Sequence, residues 1–167
     1  IGLALRGPQQ HDSGRGCDWP SWDAPLTGIE ERLLSTVRSL RREYHVHSER
    51  IYPAGFGDGG TVALRLLFSR PEWFGGAAAF GFRIPSGKHR VLTRFRDLNG
   101  KRLLLGAGCR DRVAPAAGML HLAHILQVAG MEIETRVFDA AHELTPDALT
   151  RINHWLMEGI YAANRVA

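Results

Sequence analysis

Three short segments hold the side chains that could support acid–base or nucleophilic chemistry: Gly55-Phe-Gly57-Asp58-Gly-Gly60, Gly108-Cys-Arg-Asp111-Arg-Val113-Ala-Pro115 and Asp139-Ala-Ala-His142-Glu143. The first has the glycine spacing of a G-x-S-x-G turn, in which a nucleophile sits on a strained bend between a strand and a helix. The acid follows it in the chain and the histidine follows the acid, which is one of the orders a nucleophile–acid–base triad adopts. The central position of the turn is Gly57, which has no hydroxyl or thiol for His142 to deprotonate. Asp111 is the candidate acid and His142 the candidate base.

Such loops need a scaffold, and the apolar pattern supplies one. Ile29, Leu33, Leu34, Val37 and Leu40 recur at helical spacing over residues 28–43. Arg50–Ala54 reads as a brief strand running into the glycine turn, and Thr61–Ser69 as a helix that stops before Pro71. Strands are then expected at Gly76–Phe80, Arg102–Leu105 and Glu132–Phe138, with helices at Pro115–Ala129 and Thr145–Ile160. Met119, Leu122, Leu126 and Ala129 form the expected buried stripe of the first of these helices, with Gly130 as its cap. Leu149, Ile152, Leu156 and Ile160 form that of the second. Strands alternating with long helices imply βαβ crossovers, an α/β fold and a mostly parallel sheet flanked by helices. Ligands of such sheets bind at the carboxyl ends of the strands, where all three segments fall.

The segments resemble the phospholipase/carboxylesterase group of α/β-hydrolases, which includes the acyl-protein thioesterases. That family follows an apolar strand with a Pro-Ser-Trp loop, matched by Pro20-Ser21-Trp22, and then places an Arg-Ile strand before G-F-S-x-G-G, matched by Arg50-Ile51 and Gly55–Gly60. Its G-x-x-D-x-V-x-P loop is matched by Gly108, Asp111, Val113 and Pro115, and its histidine loop by Ala141-His142-Glu143. The resemblance covers nearly the whole chain and implies an α/β-hydrolase-type domain spanning residues 1–167. It implies Asp111 and His142 as the acid and base, and the backbone N–H of Asp58 as an oxyanion donor. The family has serine where this chain has Gly57, and its upstream histidine-glycine loop is not in this sequence. The chain opens at Ile1 on an apolar stretch, Ile1–Leu5, expected to be a buried strand, so the N-terminal part of the domain is expected to be missing.

Gly57 is compatible with a natural loss of catalysis, with an engineered serine-to-glycine change, or with a water or substrate group taking the place of the side chain. The functions to weigh are therefore a degenerate carboxylesterase-like protein that keeps a pocket for an acyl or ester-like small molecule, a structural or protein-interaction module, and an active hydrolase using a His142-activated water. Gly55, Gly57 and Gly60 also spell G-x-G-x-x-G, but the next strand ends at Phe80-Gly-Phe-Arg83 without the carboxylate a dinucleotide ribose needs.

Composition removes other classes. The formal charge is +4, but the arginines are scattered and do not cluster with aromatics, which argues against nucleic acid. No apolar run reaches membrane-spanning length. Among eight histidines, His121 with His124 and His45 with His47 are closely spaced but have no third ligand at a recognisable spacing, so neither metal nor cofactor is expected. Cys17 and Cys109 are too few for a disulfide scaffold, suit a reducing, cytoplasmic setting, and are expected in loops on the site side without occupying the nucleophile turn. Trp19 and Trp22 are expected to pack the long loop that precedes the first helix.

Overall fold

The computed structural model describes residues 1–20, 22, 24–47, 50–83 and 94–165. The chain divides into two compact units, residues 1–47 and 48–167. Ser21 of the Pro-Ser-Trp match lies outside the described residues.

In the first unit, two-residue strands β1 (Gln9–Gln10) and β2 (Cys17–Asp18) pair antiparallel, Gln9 opposite Asp18 and Gln10 opposite Cys17. Helix α1 (Thr27–Glu43) follows, with Ile29 and Leu33 buried as the periodicity requires. The expected strand at Ile1–Leu5 is not formed, and Ile1 is 81% exposed. Apolar composition supplies the side chains of a buried strand but not the neighbouring ladder that would satisfy its backbone. Cys17 lies in β2 rather than in a loop, and its sulfur accepts a bond from Arg6 Nε at 2.9 Å. Trp19 and Trp22 are half-buried.

The second unit is built on strands β3 (Ala54–Phe56), β4 (Gly76–Phe80), β5 (Arg102–Gly108) and β6 (Glu132–Phe138), all parallel and in sequential order. Helix α2 (Asp58–Ser69) packs on β3 and β4, and α3 (Ala116–Val128) on β5 and β6. This is the parallel sheet flanked by helices that the alternating pattern implies. Strands β4 and β6 have the expected bounds. β5 runs three residues further, because Gly106, Ala107 and Gly108 continue the register opposite Arg136, Val137 and Phe138.

The strand expected at Arg50–Ala54 is instead β3 at Ala54–Phe56. The carbonyls of Ile51 and Pro53 still accept bonds from Gly75 and Ala78, so the chain runs alongside β4, but the regular ladder starts only beyond Pro53, which has no N–H to donate.

The closing helix α4 (Pro146–Arg165) turns inward a face that overlaps the expected stripe but is shifted from it. Ala148 and Trp155 are buried against Ala78, Phe80 and Leu104, with Ile152, Leu156 and Phe138 beside them, while Leu149 is 53% exposed. Positions 148, 152 and 155 share a helical face as well as 149, 152 and 156 do, and the indole of Trp155 carries the larger apolar area, so it takes the inward position. Tyr52 meets that indole edge-on at 5.4 Å. Among the described residues no helix is long and apolar enough to cross a membrane.

Candidate active site

The turn between β3 and α2 begins as the sheet ends. Gly57 donates its N–H to the carbonyl of Phe80 at 2.9 Å and immediately precedes the first residue of α2, with φ +58° and ψ −127°. That conformation is costly for any residue with a side chain. A Cβ at Gly60 would come within 2.9 Å of the Gly55 carbonyl and 3.1 Å of the Phe80 carbonyl, so the glycine flanking the turn is fixed by close backbone approach. Asp58 opens the helix, where the first N–H groups have no intrahelical acceptor and point outward from its positive end.

Asp111 and His142, the candidate acid and base, lie beyond the ends of β5 and β6. Beyond β5, the N–H of Cys109 donates to Phe138 and that of Arg110 to Ala140, at 2.8 and 3.0 Å, which ties the loop after β5 to the loop after β6. Arg110 also pairs with Asp139. Gly108 has no side chain to hold off the Ala140–Ala141 backbone that passes against it. This approach sets Asp111 and His142 side by side: His142 Nδ1–H donates to Asp111 Oδ2 at 2.8 Å.

The other carboxylate oxygen, Oδ1, accepts from the N–H groups of Val113 and Ala114, both at 2.8 Å. The Asp111 side chain is 1% exposed. Burial pushes its carboxyl up, but the Ala114 N–H, the His142 ring and the Val113 N–H together outweigh burial and hold it below the ordinary carboxylate value. Asp111 is therefore an anion at neutral pH, and an anion on Nδ1 fixes the tautomer that leaves Nε2 free to accept a proton.

Nε2 points at Gly57. A Cβ built on Gly57 would lie 3.7 Å from it, and among the described residues, Phe56 and Asp58 aside, no other atom comes within 4 Å of that point. A C–O bond of about 1.4 Å and an O–H···N bond of about 2.8 Å close that triangle at an angle near 120° at oxygen, an ordinary hydrogen-bond geometry. A hydroxymethyl group at position 57 would thus be in reach of His142 Nε2.

Two residues that the sequence reading left out hold the imidazole. The ring of Phe56 lies 4.8 Å from that of His142, tilted by 44°. Gly81, at φ +53°, leaves both rings their space, since a Cβ there would meet Phe56 at 2.8 Å and His142 Cε1 at 3.2 Å. The available signal was a glycine directly after an all-apolar strand, a position where backbone and ligand or side chains often crowd together. At the edge of the turn, exposed Arg83 donates to Asp58 Oδ1 at 2.7 Å, and its backbone N–H donates to Thr61 Oγ1 at 3.2 Å.

The remaining expected residues lie elsewhere or play other parts. Cys109 is exposed, and its thiol faces Asp139 Oδ1 at 3.5 Å. His121 and His124 are exposed on α3, and His45 and His47 are exposed with their rings 4.5 Å apart. Among the described residues no group of three or more His, Cys, Asp or Glu side chains could hold a metal ion.

No family model matches the chain. A probable carboxylesterase of Arabidopsis thaliana, SOBER1-like, is 26% identical over 165 residues, covering 89% of this chain and 63% of that protein. The putative esterase NocK of Nocardia uniformis subsp. tsuyamanensis is 30% identical over 92 residues, 50% of this chain and 27% of that protein. The chain thus spans less than two thirds of either relative. Among solved structures, a carboxylesterase from Mesorhizobium loti superposes with a TM-score of 0.71 at 18% identity, over 91% of this chain and 73% of that one. The Bacillus cereus carboxylesterase gives 0.64 at 22% identity, over 80% and 61%. The fold is that of the α/β-hydrolases, and both sequence relatives and both of these solved structures carry the name carboxylesterase or esterase.

Proposed function

We propose that this chain carries a carboxylesterase-type site, specific for an acyl or ester-like small molecule, in which the acid, the base and one oxyanion donor are kept and the nucleophile is not. His142 is the base, Asp111 orients it, the Asp58 N–H is the oxyanion donor, and Gly57 stands at the nucleophile position. The observation that carries this reading is the 3.7 Å from Nε2 to the Cβ position of a residue held at φ +58°. A base paired with a buried carboxylate and aimed at a strained turn is an arrangement that serves nucleophile activation and has no evident structural purpose. The names of the relatives supply the ester class.

Without a hydroxyl at Gly57 no acyl-enzyme forms by the usual route, and what remains is binding and electrostatic stabilisation, roughly 10³-fold to 10⁴-fold over water when a triad member is lost. Direct attack by a His142-activated water is the second reading, favoured by the absence of a side chain at Gly57 beside Nε2.

The test is Gly57→Ser, assayed beside the parent on short-chain p-nitrophenyl esters. Turnover should rise by at least about 10³-fold in the variant. A weak parent rate that vanishes in His142→Ala supports the water reading, whereas full esterase turnover in the parent, or an inert Gly57→Ser chain that is still folded, contradicts the proposal.

A further inference from the structure

We propose that Thr61 is a positioning residue for the oxyanion donor: its hydroxyl ties the Gly57–Asp58 peptide to the end of β4 and so sets the direction of the Asp58 N–H. This deepens the reading above and rests on it.

Among the described residues the buried polar side chains are two, Asp111 and Thr61. Asp111 holds the imidazole. Thr61 lies near the start of α2, and its hydroxyl donates to the Gly57 carbonyl at 3.2 Å, while its backbone N–H donates to the same oxygen at 3.0 Å. A helical threonine often returns its hydroxyl to the carbonyl four residues back. Two features set this one apart. The carbonyl belongs to the residue at the nucleophile position, which precedes the helix. The Thr61 oxygen in turn accepts the backbone N–H of Arg83, beyond the end of β4, at 3.2 Å. A hydroxyl has one proton to give and lone pairs to receive with, so both bonds form at once.

Peptide planarity carries this to the site. The Gly57–Asp58 unit is trans, so its C=O and N–H point in opposite directions within one plane. A single helix bond from the Thr61 N–H leaves that plane free to tilt about it, and glycine has no side chain to limit the rotation. The second bond, from the hydroxyl, removes the freedom and fixes the N–H on the far side of the peptide. The turn then meets the end of β4 in three places. Gly57 N–H donates to the Phe80 carbonyl at 2.9 Å, the Thr61 hydroxyl bridges to Arg83 N–H, and Asp58 Oδ1 accepts from the Arg83 guanidinium at 2.7 Å. The last pair is exposed on both sides and contributes little, so the hydroxyl bridge carries the orientation of the peptide.

The experiment varies position 61 in the Gly57→Ser chain and measures kcat and KM on p-nitrophenyl acetate. Thr61→Val replaces the hydroxyl with a methyl at nearly constant volume, and Thr61→Ser and Thr61→Ala differ from each other by the hydroxyl alone. The expected result is a fall in kcat of about tenfold to a hundredfold in Thr61→Val and Thr61→Ala, against less than about threefold in Thr61→Ser, with KM changed by less than about threefold throughout. Melting curves establish that each chain is folded, and Thr61→Ser against Thr61→Ala decides the matter if Thr61→Val does not fold. A kcat that follows side-chain size rather than the hydroxyl, or a loss expressed in KM, overturns the inference. If Gly57→Ser hydrolyses the ester and Thr61→Val and Thr61→Ala leave its kcat unchanged, the positioning role fails and the site reading stands; if Gly57→Ser is folded and inert, both fail.

Discussion

Replacing Asp111 separates what its carboxylate does for the fold from what it does for His142. The side chain is 1% exposed and accepts three hydrogen bonds, two from the backbone N–H groups of Val113 and Ala114 and one from His142 Nδ1. Asp111→Ala strands two backbone donors and the imidazole N–H. Each buried unsatisfied donor costs about 1–3 kcal/mol, and part is regained because the carboxylate no longer has to be desolvated, so the net loss should be about 3–5 kcal/mol. For a chain of this size that lowers Tm by about 10 °C.

Asp111→Asn keeps an oxygen for Val113 and Ala114 and loses mainly the charge-assisted part of those bonds, about 1–2 kcal/mol. Its NH₂, however, then faces Nδ1 and can only donate. The imidazole must take the other tautomer, with its proton on Nε2 toward Gly57. In the Gly57→Ser background this variant should fold yet lose about 10⁴-fold in kcat. The acid limb gives an independent check. The Asp111 carboxyl lies below its ordinary 3.8 in the fold, so its contribution is complete above about pH 4 and is lost as pH falls through the lowered value. The stability gap between parent and Asp111→Asn should therefore narrow below pH 4 in urea titrations. Equal destabilisation by Ala and Asn, or an Asn variant that leaves Gly57→Ser turnover intact, would refute the reasoning.

Other substitutions probe the supports. Gly57→Ser should destabilise the chain by about 1–3 kcal/mol as the penalty for φ +58°, visible as a lower Tm alongside its gain in activity. A melting point unchanged or raised would show that the turn is not strained. Gly81→Ala should cost about 1–3 kcal/mol and displace the Phe56 and His142 rings, lowering kcat in the Gly57→Ser background more than it raises KM. Unchanged kinetics would remove Gly81 from the positioning of His142. At β6, Arg151 binds Glu134 and Glu158 from α4, and the bond to Arg151 holds the Glu134 carboxyl below its ordinary 4.5 despite partial burial. Arg151→Met should cost about 1–2 kcal/mol at neutral pH, with the difference fading as pH falls below about 4.5. A gap that persists at pH 3 would assign the loss to packing.

The parts of the fold that could be read in the sequence are those where local pattern and tertiary demand coincide. Gly76–Phe80 and Glu132–Phe138 are short runs bounded by turn signals, and their neighbours in the sheet accept them unchanged. Ile1–Leu5 has equally good strand composition and forms none, because ladder partners are not encoded within five residues. In α4 two overlapping apolar stripes compete, and only the shape of the sheet decides for Trp155. At the candidate site, spacing singles out Gly57, Asp111 and His142, while their mutual distances depend on backbone crossings such as that at Gly108. The parts of Phe56 and Gly81 do not follow from spacing, although a glycine directly after an all-apolar strand marks Gly81, because both act by holding a ring that comes from a different strand end.

The central claim is that the base and acid still address position 57. The direct measurement is labelling of parent and Gly57→Ser chains with an alkyl fluorophosphonate, followed by peptide mass spectrometry. The account expects the phosphonyl group on residue 57 of the variant, dependent on His142, with the parent unlabelled. A folded Gly57→Ser chain that resists labelling, or a parent chain labelled at another side chain in a His142-dependent way, would contradict it.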